Sequence, residues 1–248
     1  MKSALIYAGV CGLLLSGFAA SAADAALVAT FSSGTQTVSL NGTLDAGGRN
    51  YQINANQVPG VGSFLIFGFS ATSNSPSAPA NGQVPLEKAA TSFVVANAGS
   101  GFETMTINLA DNGFTSDAPS SLAALTGAAS VTFFAQGGMD GSLPDYFQYS
   151  SSVNGTSVSS STMAFNTGAS ASVGTVNTTV GPADFAITSP YTLSSKLTLG
   201  LNSGDSATLT FQTDPSPTAL SLPSASALLA LGLVGLSALG LRRKKRFV

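Results

Sequence analysis

Residues 197–213 read LTLGLNSGDSATLTFQT, and this stretch decides the class of fold. Leucines alternate with threonine or glycine over 197–201, and Leu209 and Phe211 alternate with threonine in the second half. An apolar period of two is typical of a β-strand that turns one face to a core and the other to water. Residues 202–205 have turn chemistry, so we expect the two halves to pair as a hairpin.

Similar segments recur along the chain between clusters of Gly, Asn, Ser and Pro. They are rich in Val, Ile, Thr, Phe and Leu, which favour strands. The predicted strands are 27–31, 37–44, 63–69, 92–96, 104–109, 130–134, 157–165, 173–179, 192–201 and 207–213, with one short helix possible over 120–129. We therefore predict an all-β fold, a single antiparallel β-sandwich of jelly-roll type over residues 23–213.

Both ends of the chain have the features of targeting segments. Residues 1–22 combine Lys2, an apolar run and small residues at Ala20 and Ala22, as a signal peptide and its cleavage site require. At the other end, residues 214–223 form a predicted linker in which two prolines are expected to end the last strand. The uncharged, mostly apolar segment 224–241 would span about 27 Å as a helix, which matches a bilayer.

The basic tail, residues 242–248, predicts the topology of this membrane helix. It contains five of the nine basic residues of the chain, and such a cluster holds a C-terminus in the cytoplasm. The body between the two ends has three basic residues, Arg49, Lys88 and Lys196, against eleven acidic ones, a formal charge of −8. A surface of that sign repels phosphate, so we expect no nucleic acid as a partner.

The composition removes most catalytic machinery. The chain has no histidine, and its one cysteine, Cys11, lies in the predicted signal peptide. A Ser-His-Asp triad, a Cys-His pair and the usual zinc sites are therefore ruled out, and we expect neither a cofactor nor an enzyme. A carboxylate pair of the glycoside hydrolase kind stays open, because it depends on spatial separation. The candidate acids are Glu87, Glu103, Asp140 and Asp145.

Two binding alternatives also depend on the fold. The loop 140–145, with Asp111-Asn112-Gly113 elsewhere, offers oxygen ligands for Ca²⁺, although Asp and Asn beside Gly are also what turns require, and we favour turns. The aromatic residues Tyr146, Phe147 and Tyr149 are candidates for the exposed strip of a carbohydrate-binding module.

The tail carries a family resemblance. Leu222-Pro223-Ser224-Ala225, followed by the apolar segment and by Arg242 and Arg243, resembles the C-terminal sorting signal of the PEP-CTERM family of exported bacterial proteins. Ser224 and Ala225 stand where that family has the glutamate and second proline of Pro-Glu-Pro. The same residues, extended to Ser226, also resemble an L-P-x-T-G sortase signal with Ala225 for threonine and Ser226 for glycine.

The PEP-CTERM resemblance implies a location and partners. It implies recognition by a processing enzyme of the exosortase type, anchoring in the inner membrane during sorting, and later residence at the cell surface or outside the cell. It also implies an association with extracellular polysaccharide. Together with the missing catalytic side chains, it predicts a non-enzymatic surface or matrix protein that acts in biofilm. A carbohydrate-binding module and a carboxylate-pair hydrolase are the alternatives.

Overall fold

The structure is a computed structural model. It describes residues 26–44, 46, 50–76, 87–88, 92–114, 122–136, 143–165, 171–186 and 191–217. The predicted signal peptide with Ala20 and Ala22, the sorting residues 222–225, the predicted membrane helix and the basic tail with Arg242 and Arg243 lie outside these residues, as does Asp140. Within the described part of the chain, no helix is long and apolar enough to cross a membrane.

The described residues form β-strands joined by turns and loops. The strands are β1 (Ala26–Ser33), β2 (Gln36–Asn41), β3 (Thr43–Leu44), β4 (Asn50–Val61), β5 (Phe64–Pro76), β6 (Glu87–Lys88), β7 (Phe93–Asn97), β8 (Glu103–Phe114), β9 (Leu122–Ala135), β10 (Asp145–Val153), β11 (Thr156–Ser159), β12 (Met163–Phe165), β13 (Ser172–Ala186), β14 (Tyr191–Leu201) and β15 (Ser206–Pro217). The prediction of an all-β fold is confirmed.

Two antiparallel sheets pack face to face, which confirms the predicted sandwich. Sheet A has the order β11-β10-β14-β8-β1-β2, with β12 also paired to β10. Sheet B has the order β13-β9-β15-β7-β5-β4-β3, with β6 also paired to β5. From β7 onward the chain repeatedly changes sheet: β7, β9, β13 and β15 belong to sheet B, and β8, β10 and β14 to sheet A.

The core lies between the sheets and is rich in phenylalanine. Phe31 of sheet A meets Phe69 of sheet B edge to face, with ring centroids 4.9 Å apart. Phe69 then contacts Phe93 at 5.2 Å, and Phe93 contacts Phe211 at 6.3 Å, in the same T-shaped manner. All four rings are buried, and this edge-to-face geometry is the one that aromatic quadrupoles favour. These contacts join β1 to β15, the first and last of the described strands.

The predicted short helix over 120–129 is wrong, because its described residues, 122–129, belong to strand β9. Leu125 and Ala129 point into the core, whereas Ala124 and Ala128 are half-buried on the outer face. Alanine on both faces hides the period of two in the sequence. From Leu122 onward this segment pairs with β13 on one side and β15 on the other, apart from a bulge at Thr126 on the β13 side, and this outweighs the helix preference of alanine.

The predicted hairpin over 197–213 is also wrong. Its first half lies in β14 of sheet A and its second half in β15 of sheet B, so the turn at 202–205 connects the two layers. Leu199 and Leu209 are both fully buried, on strands that belong to facing sheets. The alternation correctly predicts two strands, but it does not say whether they pair edge to edge or pack face to face.

The last strand continues beyond the predicted start of the linker. Strand β15 extends to Pro217, with Pro215 opposite Leu125 and Pro217 opposite Ala123 of β9. Its pairing with β7 ends at Leu209. The two prolines are two residues apart, so their nitrogens face the same side of the strand. Proline is tolerated where a strand needs no N–H on that side.

Candidate ligand-binding face

The outer face of sheet B exposes large apolar side chains. Phe67 on β5 is 39% exposed and Phe134 on β9 is 40% exposed. Leu65, Val94 and Val173 on the same face are exposed to a similar or greater degree. Phenylalanine is normally among the most buried residues, so two exposed rings on one face make this face a candidate contact surface.

The strand register arranges these residues in two adjacent rows across five strands. The first row runs through Leu65, Ala96, Ser206, Phe134 and Val173, on β5, β7, β15, β9 and β13. The second row runs through Phe67, Val94, Thr208, Thr132 and Thr175 on the same strands. We call these ten residues the sheet B face.

The two aromatic rings of the sheet B face stand well apart. Phe67 and Phe134 lie three strands apart and in neighbouring rows, which puts their Cα atoms roughly 16 Å from each other at the usual sheet spacings. One compact small molecule cannot contact both rings at that distance. An extended ligand that lies across the strands can.

Polar groups without charge fill the surface around the rings. The hydroxyl of Thr132 is 2.8 Å from that of Thr175, and Thr208 lies between Val94 and Thr132. Beyond them, an open depression of about 320 Å³ is lined by Ser130, Asn177, Thr178, Thr179, Thr210 and Gln212 together with Ala128, Ala129 and Phe211. None of these lining residues is ionisable, although the body of the protein is strongly acidic.

The predicted aromatic strip on β10 is not formed. Phe147 and Tyr149 are fully buried, whereas Tyr146 faces outward on sheet A. Consecutive side chains of a strand point to opposite faces, so Tyr146 and Phe147 cannot share one surface. Tyr146 instead stacks on Phe102, with ring centroids 6.0 Å apart, and covers Gly200.

The three candidate carboxylates among the described residues, Glu87, Glu103 and Asp145, are not brought together in one cleft. Glu87 pairs with Ser73 near one end of β5, whereas Glu103 lies beside the Gly62 turn at the other end. Those two ends of β5 are roughly 30 Å apart. Asp145 lies at the Glu103 end, but it is fully buried.

Asp145 belongs to a buried polar network at that end of the sandwich. Its Oδ1 atom accepts hydrogen bonds from the backbone N–H and the side-chain amide of Asn202, both at 2.9 Å. Its Oδ2 atom is buried without a hydrogen-bond partner. Burial raises the pKa of Asp145 to about 6, and the nearby charge of Asp205 adds to the increase, while the Asn202 hydrogen bonds oppose it.

Asp111 occupies a second, separate buried site. It lies within strand β8, not in a turn, so the turn interpretation of 111–113 is wrong. The hydroxyl of Ser73 donates to its Oδ2 atom, and its Oδ1 atom has no hydrogen-bond partner. Burial raises the pKa of Asp111 to about 6, against the opposing effect of hydrogen bonds from Ser73 and from the backbone of Asn112. Eight residues of strand separate it from Glu103, roughly 27 Å, so Asp111 and Asp145 do not share a metal site.

Comparison with known proteins gives no family. No protein-family model and no curated protein matches the chain. Among solved structures, it is similar to the carbohydrate-binding module TmCBM61 in complex with β-1,4-galactotriose, at 9% identity and a TM-score of 0.32, over 69% of this chain and 90% of that one. It is also similar to a Stig cyclase from Fischerella sp. TAU, at 16% identity and a TM-score of 0.26, over 71% and 89%.

A third similar structure is an arabinose-bound α-L-arabinofuranosidase, at 12% identity and a TM-score of 0.26. The match covers 70% of this chain but only 24% of the arabinofuranosidase. At such identities and TM-scores, none of these similarities says what this chain binds.

The exposure of Phe134 on the sheet B face could have been predicted from the sequence. Both phenylalanines lie in predicted strands, 63–69 and 130–134. In the second of these, Val131 and Phe133 occupy the inward positions, so Phe134 must point outward. Testing each aromatic residue against the parity of its own strand would have identified Phe134. The prediction of an exposed strip from Tyr146, Phe147 and Tyr149 did not take this parity into account.

Proposed function

We propose that this chain is a non-catalytic, exported surface or extracellular-matrix protein whose β-domain binds polysaccharide through the sheet B face. The observation that carries the proposal is the exposure of Phe67 and Phe134 on one uncharged sheet surface, with threonine hydroxyls between them. Carbohydrate binding, which the sequence analysis gave as an alternative function, would then be the way in which the matrix protein contacts its polymer.

The chemistry of the sheet B face suits a sugar chain. A sugar ring has apolar C–H groups that pack on an aromatic ring and hydroxyls that exchange hydrogen bonds with Thr, Ser, Asn and Gln side chains. The separation of Phe67 from Phe134 suits a polymer of several units better than a monosaccharide. The acidic body would repel an anionic polymer, so we propose a neutral polysaccharide.

The finer fold assignment and the location are part of the same proposal. The strand orders β7-β15-β9-β13 and β8-β14-β10-β11 support a jelly roll, in which two Greek keys fold into two facing sheets. Strands β1 to β5 would extend its two edges. The signal peptide over 1–22, the helix over 224–241 and the exosortase-type signal at 222–225 are supported by sequence alone and provide the route to the surface.

Binding to insoluble and soluble neutral polysaccharides tests the proposal. The full-length chain, purified in mild detergent, should be depleted from solution by an insoluble glucan or galactan and retarded in gels that contain the soluble polymer. Phe67→Ala and Phe134→Ala should each weaken binding about tenfold, which corresponds to about 1.4 kcal/mol. Leu44→Ala removes an exposed apolar side chain on β3, outside these ten residues, and is the matched control.

Two results would count against the proposal. If both phenylalanine variants bind a polymer as tightly as the unchanged chain does, the sheet B face is not the binding surface. If the purified chain releases reducing sugars from a bound polymer, the protein is an enzyme, and a carboxylate pair has to be sought.

A further inference from the structure

The turn at 202–205 places a second carboxylate beside Asp145. Asp205 is 5% exposed, and its Oδ1 atom accepts a hydrogen bond of 2.8 Å from the backbone N–H of Gln136. Its side chain lies within hydrogen-bonding reach of the side chain of Asp145. The two acids come from different sheets, since Asp145 begins β10 of sheet A and Asp205 immediately precedes β15 of sheet B.

No basic residue among those described lies near this pair. Lys88 belongs to β6, which pairs with Ser73 and its neighbour at the opposite end of β5. Lys196 is exposed on the outer face of sheet A, level with Asn108 and Ser150. Two buried carboxylates without a cation are costly, because burial disfavours charge and like charges repel. The Oδ2 atom of Asp145 is buried and accepts no hydrogen bond that would reduce this cost.

Two backbone carbonyls share hydrogen-bond partners with this pair. The side-chain amide of Asn202 donates 2.9 Å hydrogen bonds to the carbonyl of Leu143 and to Oδ1 of Asp145, which fixes both acceptors next to each other. The backbone N–H of Asp205 donates to the carbonyl of Asn202 at 3.2 Å. Carboxylate and carbonyl oxygens in a flexible arrangement are the ligands that Ca²⁺ prefers, whereas Mg²⁺ demands a more regular octahedron.

We propose that Asp145 and Asp205 bind one Ca²⁺ ion at this end of the sandwich, with the carbonyl of Leu143 as a further ligand and water completing the shell. The charge of the two carboxylates matches that of the ion. Bound there, the ion links the start of β10 to the turn that enters β15 and, through Gln136, to the end of β9. It thereby joins sheet A to sheet B. This inference is independent of the polysaccharide proposal.

Thermal unfolding of the full-length chain at neutral pH tests the site. A ligand that binds only the folded state raises Tm, and calcium at about a hundred times its Kd should raise it by about 5–10 °C for a domain of this size. Magnesium at the same concentration should raise it much less. Equilibrium dialysis with radioactive calcium should show one ion bound per chain.

Two asparagine variants separate this site from the other buried acid. Asp205→Asn should abolish both the calcium-dependent rise in Tm and the bound ion. Asp111→Asn is the matched control, because Asp111 is also buried but lies roughly 27 Å along β8 from Glu103, toward the other end of the sandwich, and this variant should keep both. If Asp205→Asn fails to fold, dialysis and melting of the unchanged chain still decide the question.

The proposal is wrong if the unchanged chain binds no calcium at neutral pH and melts at the same temperature with calcium or chelator. A Tm that rises only on acidification, with or without calcium, would show that the two acids share a proton instead. A calcium response that persists in Asp205→Asn would place the ion elsewhere and would equally overturn the assignment.

Discussion

Replacing Asp111 by asparagine tests how much the ionisation of a buried carboxyl group lowers the free energy of unfolding of this sandwich. Asp111 is fully buried, and burial raises its pKa from 3.8 to about 6. A pKa that is higher in the folded state means that the folded protein prefers the protonated form. The stability that Asp111 contributes is therefore fully present below about pH 4 and is lost as the pH rises through about 6.

The size of the effect follows from the shift in pKa. Each unit is worth about 1.4 kcal/mol, so ionisation of Asp111 lowers the free energy of unfolding by roughly 3 kcal/mol at pH 8. Asparagine stays neutral at every pH, and its side-chain oxygen can still accept the hydrogen bond from Ser73. The Asp111→Asn variant should therefore equal the unchanged chain near pH 4 and exceed it by up to roughly 3 kcal/mol at pH 8.

Urea unfolding followed by circular dichroism at several pH values measures this difference directly. Asp145 also titrates in this range, so both proteins keep some pH dependence, and the informative quantity is the difference between them. Asp184→Asn changes an exposed carboxylate on β13 and is the matched control. The reasoning is refuted if the difference between the Asp111→Asn variant and the unchanged chain is the same at pH 4 and pH 8.

Two further predictions concern the packing between the sheets. Gly127→Ala should lower the free energy of unfolding by about 1–3 kcal/mol, because the added Cβ would lie 2.8 Å from the ring of Tyr149. Urea unfolding measures this loss, and an unchanged unfolding midpoint would contradict the prediction. Tyr149→Phe should cost about 1–2 kcal/mol, because the Tyr149 hydroxyl donates a 2.5 Å hydrogen bond to the carbonyl of Gln212. In a Gly127→Ala background the cost of Tyr149→Phe should change, since the two residues are in contact, and purely additive losses would argue against that contact.

The sequence predicted most of the strands but missed those whose inward positions are polar or widely spaced. Strand β10 places Asp145 and Ser151 at buried positions alongside Phe147 and Tyr149. In β4, the buried residues are Ile53, Val58 and Val61, and irregular spacing and bulged pairing with β5 break the alternation. Apolar periodicity cannot detect strands of these kinds, because their burial depends on hydrogen bonds and neighbours that are distant in sequence.

The candidate sites required the register between strands, which no local pattern contains. Phe67 and Phe134 are 67 positions apart in the sequence. The register in which β5, β7, β15 and β9 pair with one another places them in adjacent rows of one face. The same holds for Asp145 and Asp205, which meet only because the turn after β14 crosses from one sheet to the other. The predicted hairpin would have kept β14 and β15 in a single sheet. It would also have left Asp205 in an exposed turn, so the topology, rather than the turn residues themselves, makes this acid a candidate calcium ligand.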